Sequence, residues 1–197
     1  MNEEKIKKIN ILYLLGYIFI PILVCAICFL IGMMFFPKGL GAVIFFLGPS
    51  ALSVLWWAFG GTLLFKSKTK KFEQKLDSLD FSRDSTFYGK GKVVILDMKK
   101  GQIGLVFFWN PTMTYIVPAT RVKQVWVDDG KFGSGFMEGS SRVSFLFTID
   151  DVTIRVDTFT SNQRFRMDSD YILTGISKAD MMVKAINDAK QKSKSSE

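Results

Sequence analysis

Three groups of residues have types and spacings that chemistry can use. Arg155, Asp157, Asn162, Arg164, Arg166, Asp168 and Asp170 form a polar run of mixed sign. In an extended chain Arg164, Arg166, Asp168 and Asp170 fall on one face, and Arg155 and Asp157 face the same way on a neighbouring strand. That predicts either a self-neutralising ladder of ion pairs or a polar recognition surface. Lys90, Lys92, Lys99 and Lys100 flank one apolar strand and its turn, a local cluster of positive charge. Lys131, Phe132, Phe136 and Met137 ride on a Gly-rich segment, and aromatics beside a cation suit a headgroup layer or a protein partner. The glycines in that segment do not make a nucleotide loop, because the segment joins two strands and no Lys-Ser/Thr follows.

The composition excludes more chemistry than it offers. There is no His, so imidazole acid–base catalysis and His-ligated metals are out. The two cysteines, Cys25 and Cys28, lie three apart in an apolar run without a His or carboxylate nearby, and read as small packing residues. Asp128-Asp129 and Asp168-x-Asp170 read as turn and surface carboxylates. The second has the form of a sugar-nucleotide transferase's metal motif, but that chemistry needs a much larger α/β domain. No Ser nucleophile motif is present. The expectation is a non-enzyme with no metal and no cofactor.

The elements that must position these residues divide at about residue 66. No charge occurs from Asn10 to Phe36 or from Leu40 to Phe65, runs of 27 and 26 residues. A membrane crossing needs about 20 apolar residues, so each run predicts a transmembrane helix. Residues 37–39 make the loop of a tight antiparallel hairpin. The first run is too long for a signal peptide and ends in no small-x-small cleavage site. Pro21 and Pro49 predict kinks, and Gly48, Ser50, Gly60 and Gly61 predict close helix approach. No Asp, Glu, Lys or Arg lies inside either run, which argues against a pump or transporter.

Charge placement gives the orientation. The chain carries 26 Lys+Arg against 18 Asp+Glu, a formal +8, and residues 1–71 hold eight Lys against two Glu. Lys5, Lys7 and Lys8 precede the first run and Lys66, Lys68, Lys70 and Lys71 follow the second. Basic residues favour the cytoplasmic side. The expectation is a bacterial plasma-membrane protein with two spans and both termini cytoplasmic. Tyr13, Tyr17, Trp56 and Trp57 would then form an interfacial belt at that end. With most of the excess charge serving topology, no nucleic-acid partner is expected.

The remainder reads as a juxtamembrane linker or helix (66–86), a cytoplasmic β-rich domain (87–190) and a disordered tail (191–197), after an N-terminal segment at 1–9. Phe72, Leu76 and Leu79 have helical spacing. Strands are predicted at Val93–Leu96, Ile103–Trp109, Tyr115–Val117, Val122–Val127, Val143–Ile149 and Val152–Val156, with a seventh in Arg164–Leu173. Turns are predicted at Asn110-Pro111 and at Asp150-Asp151, the latter a tight hairpin. Ser177 and Asp180 suggest a capping box opening a helix whose stripe is Met181, Met182, Ala185, Ile186 and Ala189. The fold class is thus a transmembrane hairpin plus six or seven antiparallel strands and one C-terminal helix.

This order resembles bacterial membrane proteins in which a transmembrane hairpin precedes a pleckstrin-homology-like domain, a bent sandwich or barrel with one terminal helix. Tyr115-Ile116-Val117-Pro118 with Arg121-Val122 stands where such domains often carry an "I-P…I" stretch. The resemblance implies a scaffold or binding role at the inner membrane face, with a protein partner, a second copy or a lipid headgroup as ligand, and implies no catalytic residues. The order also resembles two-transmembrane β-barrel effectors of bacterial antiphage systems, which would imply a cyclic-nucleotide pocket and clustering in the membrane. A non-catalytic subunit of a larger membrane complex is the third expectation.

Overall fold

The computed structural model describes residues 5–35, 40–129, 141–163 and 165–195; the predicted 37–39 loop lies outside them. The chain divides into two compact units. One comprises Lys8–Lys71 with Phe107–Thr112, the other Met1–Lys7, Phe72–Val106 and Met113–Glu197.

The first unit is the helical hairpin. Helix α1 spans Ile11–Phe35. Asn10 caps it: its Oδ1 accepts from the Tyr13 N–H at 3.2 Å, satisfying one donor that a helix start leaves orphaned. Helix α2 spans Leu40–Leu55 and runs through a π-helical turn, Trp56–Gly60, into α3, Gly61–Ser78. Ile11–Phe35 and Leu47–Ser78 are each long and apolar enough to cross a membrane. Where the two lines pack, the contact positions are small or proline: Pro21 and Gly32 are buried. Ser53 is buried as well. Its hydroxyl lies 2.8 Å from the Pro49 carbonyl, 3.3 Å from the Pro21 carbonyl and 3.0 Å from Cys25 Sγ. Much of the remaining helix surface is apolar and uncovered, with Leu12 81% and Met34 79% exposed.

The second unit is β-rich. Strands β1 (Ser85–Gly89), β2 (Lys92–Asp97), β3 (Gln102–Phe107) and β4 (Asn110–Pro118) form a four-stranded sheet in sequence order. After a 3-10 turn at Ala119–Arg121, strands β5 (Val122–Asp128), β6 (Ser141–Ile149) and β7 (Val152–Ser161) form a second sheet, also in sequence order. Among the described residues no barrel closes; this unit has two antiparallel sheets and a C-terminal helix. Phe87 of β1 meets Phe145 of β6 edge-on at 5.3 Å, bringing the sheets together over a core that includes Ile95, Leu105, Phe147 and Ile154. The β6–β7 hairpin turns at Asp150-Asp151 with Ile149 paired to Val152, and both aspartates have positive φ, as a type I′ turn requires.

The structure corrects several expectations. The strand pattern is expected from about Tyr88 with Val93–Leu96 as its first strand, but an earlier strand, β1, is recruited at Ser85–Gly89 by pairing with β2. The predicted Asn110-Pro111 turn lies inside β4, and Phe108-Trp109 make the turn instead. Among the described residues of the segment Arg164–Leu173 there is no strand; helix α4 begins at Asp170 rather than Ser177 and continues to Ser195, into the expected tail. Its buried face is Ile172, Gly175, Ala179, Met182, Ile186, Ala189 and Ser193, alternating three- and four-residue steps, so Met181 points outward. Gly175 is the contact point of that face: a Cβ there would lie 2.8 Å from Phe159 Cβ. Finally, Phe72 and Leu76 form no separate juxtamembrane helix. They are buried residues of α3, while Leu79 is exposed beyond its end.

Candidate functional site

The residues of the first unit that stand out are aromatic. Tyr13 stacks on Tyr17 at 6.3 Å, and Tyr17 meets Trp56 at 5.9 Å. Trp109 approaches the same Tyr17 edge-on at 5.8 Å, and Phe108 lies 5.6 Å from Phe65. Backbone defects explain why the cluster forms. Pro21 has no N–H, which leaves the Tyr17 carbonyl, four residues earlier, without its helical partner. The Trp56 indole donates to that carbonyl at 3.3 Å. In return the Tyr17 hydroxyl donates to the Trp57 carbonyl at 2.7 Å and lies 3.3 Å from the Trp56 carbonyl, at the start of the π turn. A π turn shifts bonding to i→i+5 and frees carbonyls from their usual partners. Each helix thus satisfies the other's irregularity. The expected belt residues Tyr13, Tyr17 and Trp56 are brought together. The addition of Phe108 and Trp109 was not foreseen, because the pattern extended the strand through them.

On the β-rich unit the predicted polar face separates. Arg155 and Asp157 do share a face of β7, but their partners come from β5 and β6. Arg155 binds Asp128 at 2.7 Å, while Asp157 accepts from Ser144 at 2.8 Å and lies 3.7 Å from Arg142. The register places Asp128, Ser144 and Asp157 opposite one another across three strands. Arg166 pairs with Asp168 at 3.2 Å in an irregular segment, Asp170 opens α4 and Asn162 is exposed after β7. Arg164 lies outside the described residues. The ladder therefore exists with Arg142, Asp128 and Ser144 in it, which only strand register could supply.

The four basic-turn lysines are divided between the two ends of β2, about 20 Å apart at ~3.3 Å per residue. Lys90 is exposed at one end, and the Lys92 ammonium reaches the Arg155 carbonyl. At the other end Lys99 is exposed, while Lys100 donates to the Leu79 and Asp80 carbonyls at 3.0 and 2.7 Å, a cation closing the end of α3. The turn itself is built by Asp97. This carboxylate, fully buried, accepts from the backbone N–H groups of Ser82, Lys99 and Lys100 at 2.9, 2.9 and 2.8 Å. Asp84 sits beside it. Its carboxyl is held below the ordinary range, chiefly because the Ser82 hydroxyl donates to it at 2.6 Å, helped by the Met98 N–H. Asp151 is likewise depressed, by the Lys123 ammonium. The Tyr88 phenol donates to Glu73 at 2.7 Å, which raises its pKa. These groups are structural partners of one another.

Lys131, Phe132, Phe136 and Met137 lie outside the described residues. A surface missed by the sequence reading is an open depression of about 500 Å³ between β7 and α4, lined by Thr158, Phe159, Asp170, Tyr171, Thr174, Gly175 and Lys178. Phe159, Phe165 and Tyr171 form its aromatic flank, with ring centroids 5.3–6.3 Å apart. The misread start of α4 hid it, since Asp170, Tyr171 and Thr174 project together only on a helix. Comparison with known proteins adds no template: no protein-family model, no curated protein and no solved structure matches this chain.

Proposed function

We propose that this protein is a membrane-anchored binding module, a two-helix hairpin in the bacterial plasma membrane that holds a pleckstrin-homology-like domain and its protein partner at the cytoplasmic face. The observation that carries this reading is the pairing of an apolar, largely uncovered α1 with a β unit whose own core is complete. Apolar side chains exposed along a 25-residue helix are stable in lipid and costly in water. Four strands, three strands and one closing helix support the pleckstrin-homology-like reading, and the lysines before α1 and along α3 support cytoplasmic termini. Phe145, Phe147, Leu105 and Ile154 occupy inward positions and are fully buried, which favours recognition on the outer surface over a ligand within the sheets.

The test expresses the full tagged chain in a bacterium. The chain should stay in carbonate-washed membranes, and single cysteines placed near either terminus should be protected from an impermeant reagent until the cells are opened. A photoreactive residue at Tyr171 should capture a partner protein at the depression. Release by carbonate, or labelling of intact cells at the termini, refutes the anchored arrangement. No adduct from this position, or from a second one at Lys178, refutes a partner on this surface.

A further inference from the structure

The turn between β3 and β4 is unusual chemistry for a two-residue connection. Such positions favour Gly, Asn or Asp, and here they are Phe108 and Trp109. Strand pairing does not call for two large rings at a tip. Their surroundings in the helical unit do. The Asn10 N–H, on the residue that caps α1, donates to the Trp109 carbonyl at 2.9 Å, and the Asn10 amide donates to Thr112 Oγ1 at 3.2 Å. The tip is thereby stitched to the first turn of α1. Trp109 meets Tyr17, and Phe108 lies so close to Gly61 that a Cβ there would sit 2.6 Å from its ring.

The depth of this position follows from lengths. Helix α1 has 25 residues, about 37 Å at 1.5 Å each, against about 30 Å of hydrocarbon, so an end of the helix lies in the headgroup region. Lys8 precedes that first turn, and Lys66 and Lys68 lie just beyond Phe65 on α3, cations at the level where lipid phosphates sit. Trp109 is 39% exposed among these groups, and an indole is most stable where an apolar ring and a polar edge are both accommodated.

We propose that the Phe108–Trp109 tip is a third membrane contact, seated in the headgroup layer of the leaflet in which α1 begins, and that its ligand is the lipid itself. This rests on the anchored reading above and extends it: the β3–β4 hairpin reaches the bilayer by its own tip.

The test places the full chain in vesicles of phosphatidylcholine and phosphatidylglycerol whose acyl chains carry bromine at a shallow or a deep carbon. One variant keeps Trp109 alone (W56F, W57F, W126F); a second keeps Trp57 alone. Trp109 emission should be blue-shifted from that of aqueous tryptophan and should lose more intensity to shallow bromines than to deep ones. Aqueous emission without quenching at Trp109, while Trp57 is quenched, overturns the proposal and leaves the helical anchor standing. Absence of quenching at both overturns both. A photoreactive residue at position 109 in the otherwise native chain guards against misfolding of the triple variant. A lipid adduct supports the proposal, and a protein adduct in its place overturns it.

Discussion

The Trp56 indole donates to the one carbonyl in α1, that of Tyr17, which Pro21 leaves without its helical N–H. Without that bond the carbonyl would have no donor from its own helix, so the indole compensates for Pro21. Trp56→Phe should weaken the helical hairpin by about 1 kcal/mol, the upper part of the range for interhelical bonds in bilayers. Trp57→Phe should cost less, since Trp57 contributes its carbonyl rather than its indole. Reversible unfolding of the full chain in mixed micelles measures both.

The same relationship predicts non-additivity. Pro21→Ala restores an N–H that can bond the Tyr17 carbonyl within α1. Trp56→Phe in that background should cost less than half of what it costs in the native chain. Equal costs in both backgrounds would show that the indole bond is not compensating for the proline.

Asp97, fully buried, holds the backbone N–H groups of Lys99 and Lys100 in the β2–β3 turn and that of Ser82 ahead of β1. Asp97→Ala should destabilise the β unit by about 3 kcal/mol, because buried donors lose a charged acceptor together. Asp97→Asn, which keeps one carbonyl oxygen, should cost less. Denaturant unfolding of the full chain followed by Trp126 fluorescence distinguishes them.

Gly101 has φ +61°, and a Cβ there would lie 2.5 Å from the Ser193 nitrogen. Gly101→Ala should cost about 1–2 kcal/mol from the left-handed conformation alone, with further loss from the backbone clash. The loss should appear first as faster amide exchange over Ala189–Ser195, the end of α4 that Gly101 abuts.

Asp84 and Asp151 both titrate below the ordinary carboxylate range when folded. The unfolded chain therefore binds protons at higher pH than the folded one. The stabilisation is complete above about pH 4 and declines as pH falls through the folded values. Both groups are exposed, so the effect should be modest and weakened by salt. Denaturation midpoints from about pH 6 to about pH 2 should fall more steeply for the native chain than for a variant with Asp84→Asn and Asp151→Asn.

The legible parts of this protein are those set by local periodicity and by exclusion. Twenty-five consecutive residues without charge define α1 whatever surrounds them, and Val143, Phe145, Phe147 and Ile149 alternate strongly enough to define β6. Asp150-Asp151 mark their turn because aspartate tolerates positive φ. The site was less legible. Arg164, Arg166, Asp168 and Asp170 alternate as a strand would, but Ile172, Gly175 and Ala179 must face the β5–β6–β7 sheet, and that burial commits Asp170 onward to a helix. Arg155 and Asp157 were identified, whereas their partners Asp128 and Ser144 depend on register across three strands. Phe108 and Trp109 carry no turn signal at all. Their place beside Tyr17 and Phe65 depends on contacts between residues far apart in sequence, which spacing along the chain does not encode and only the folded chain supplies.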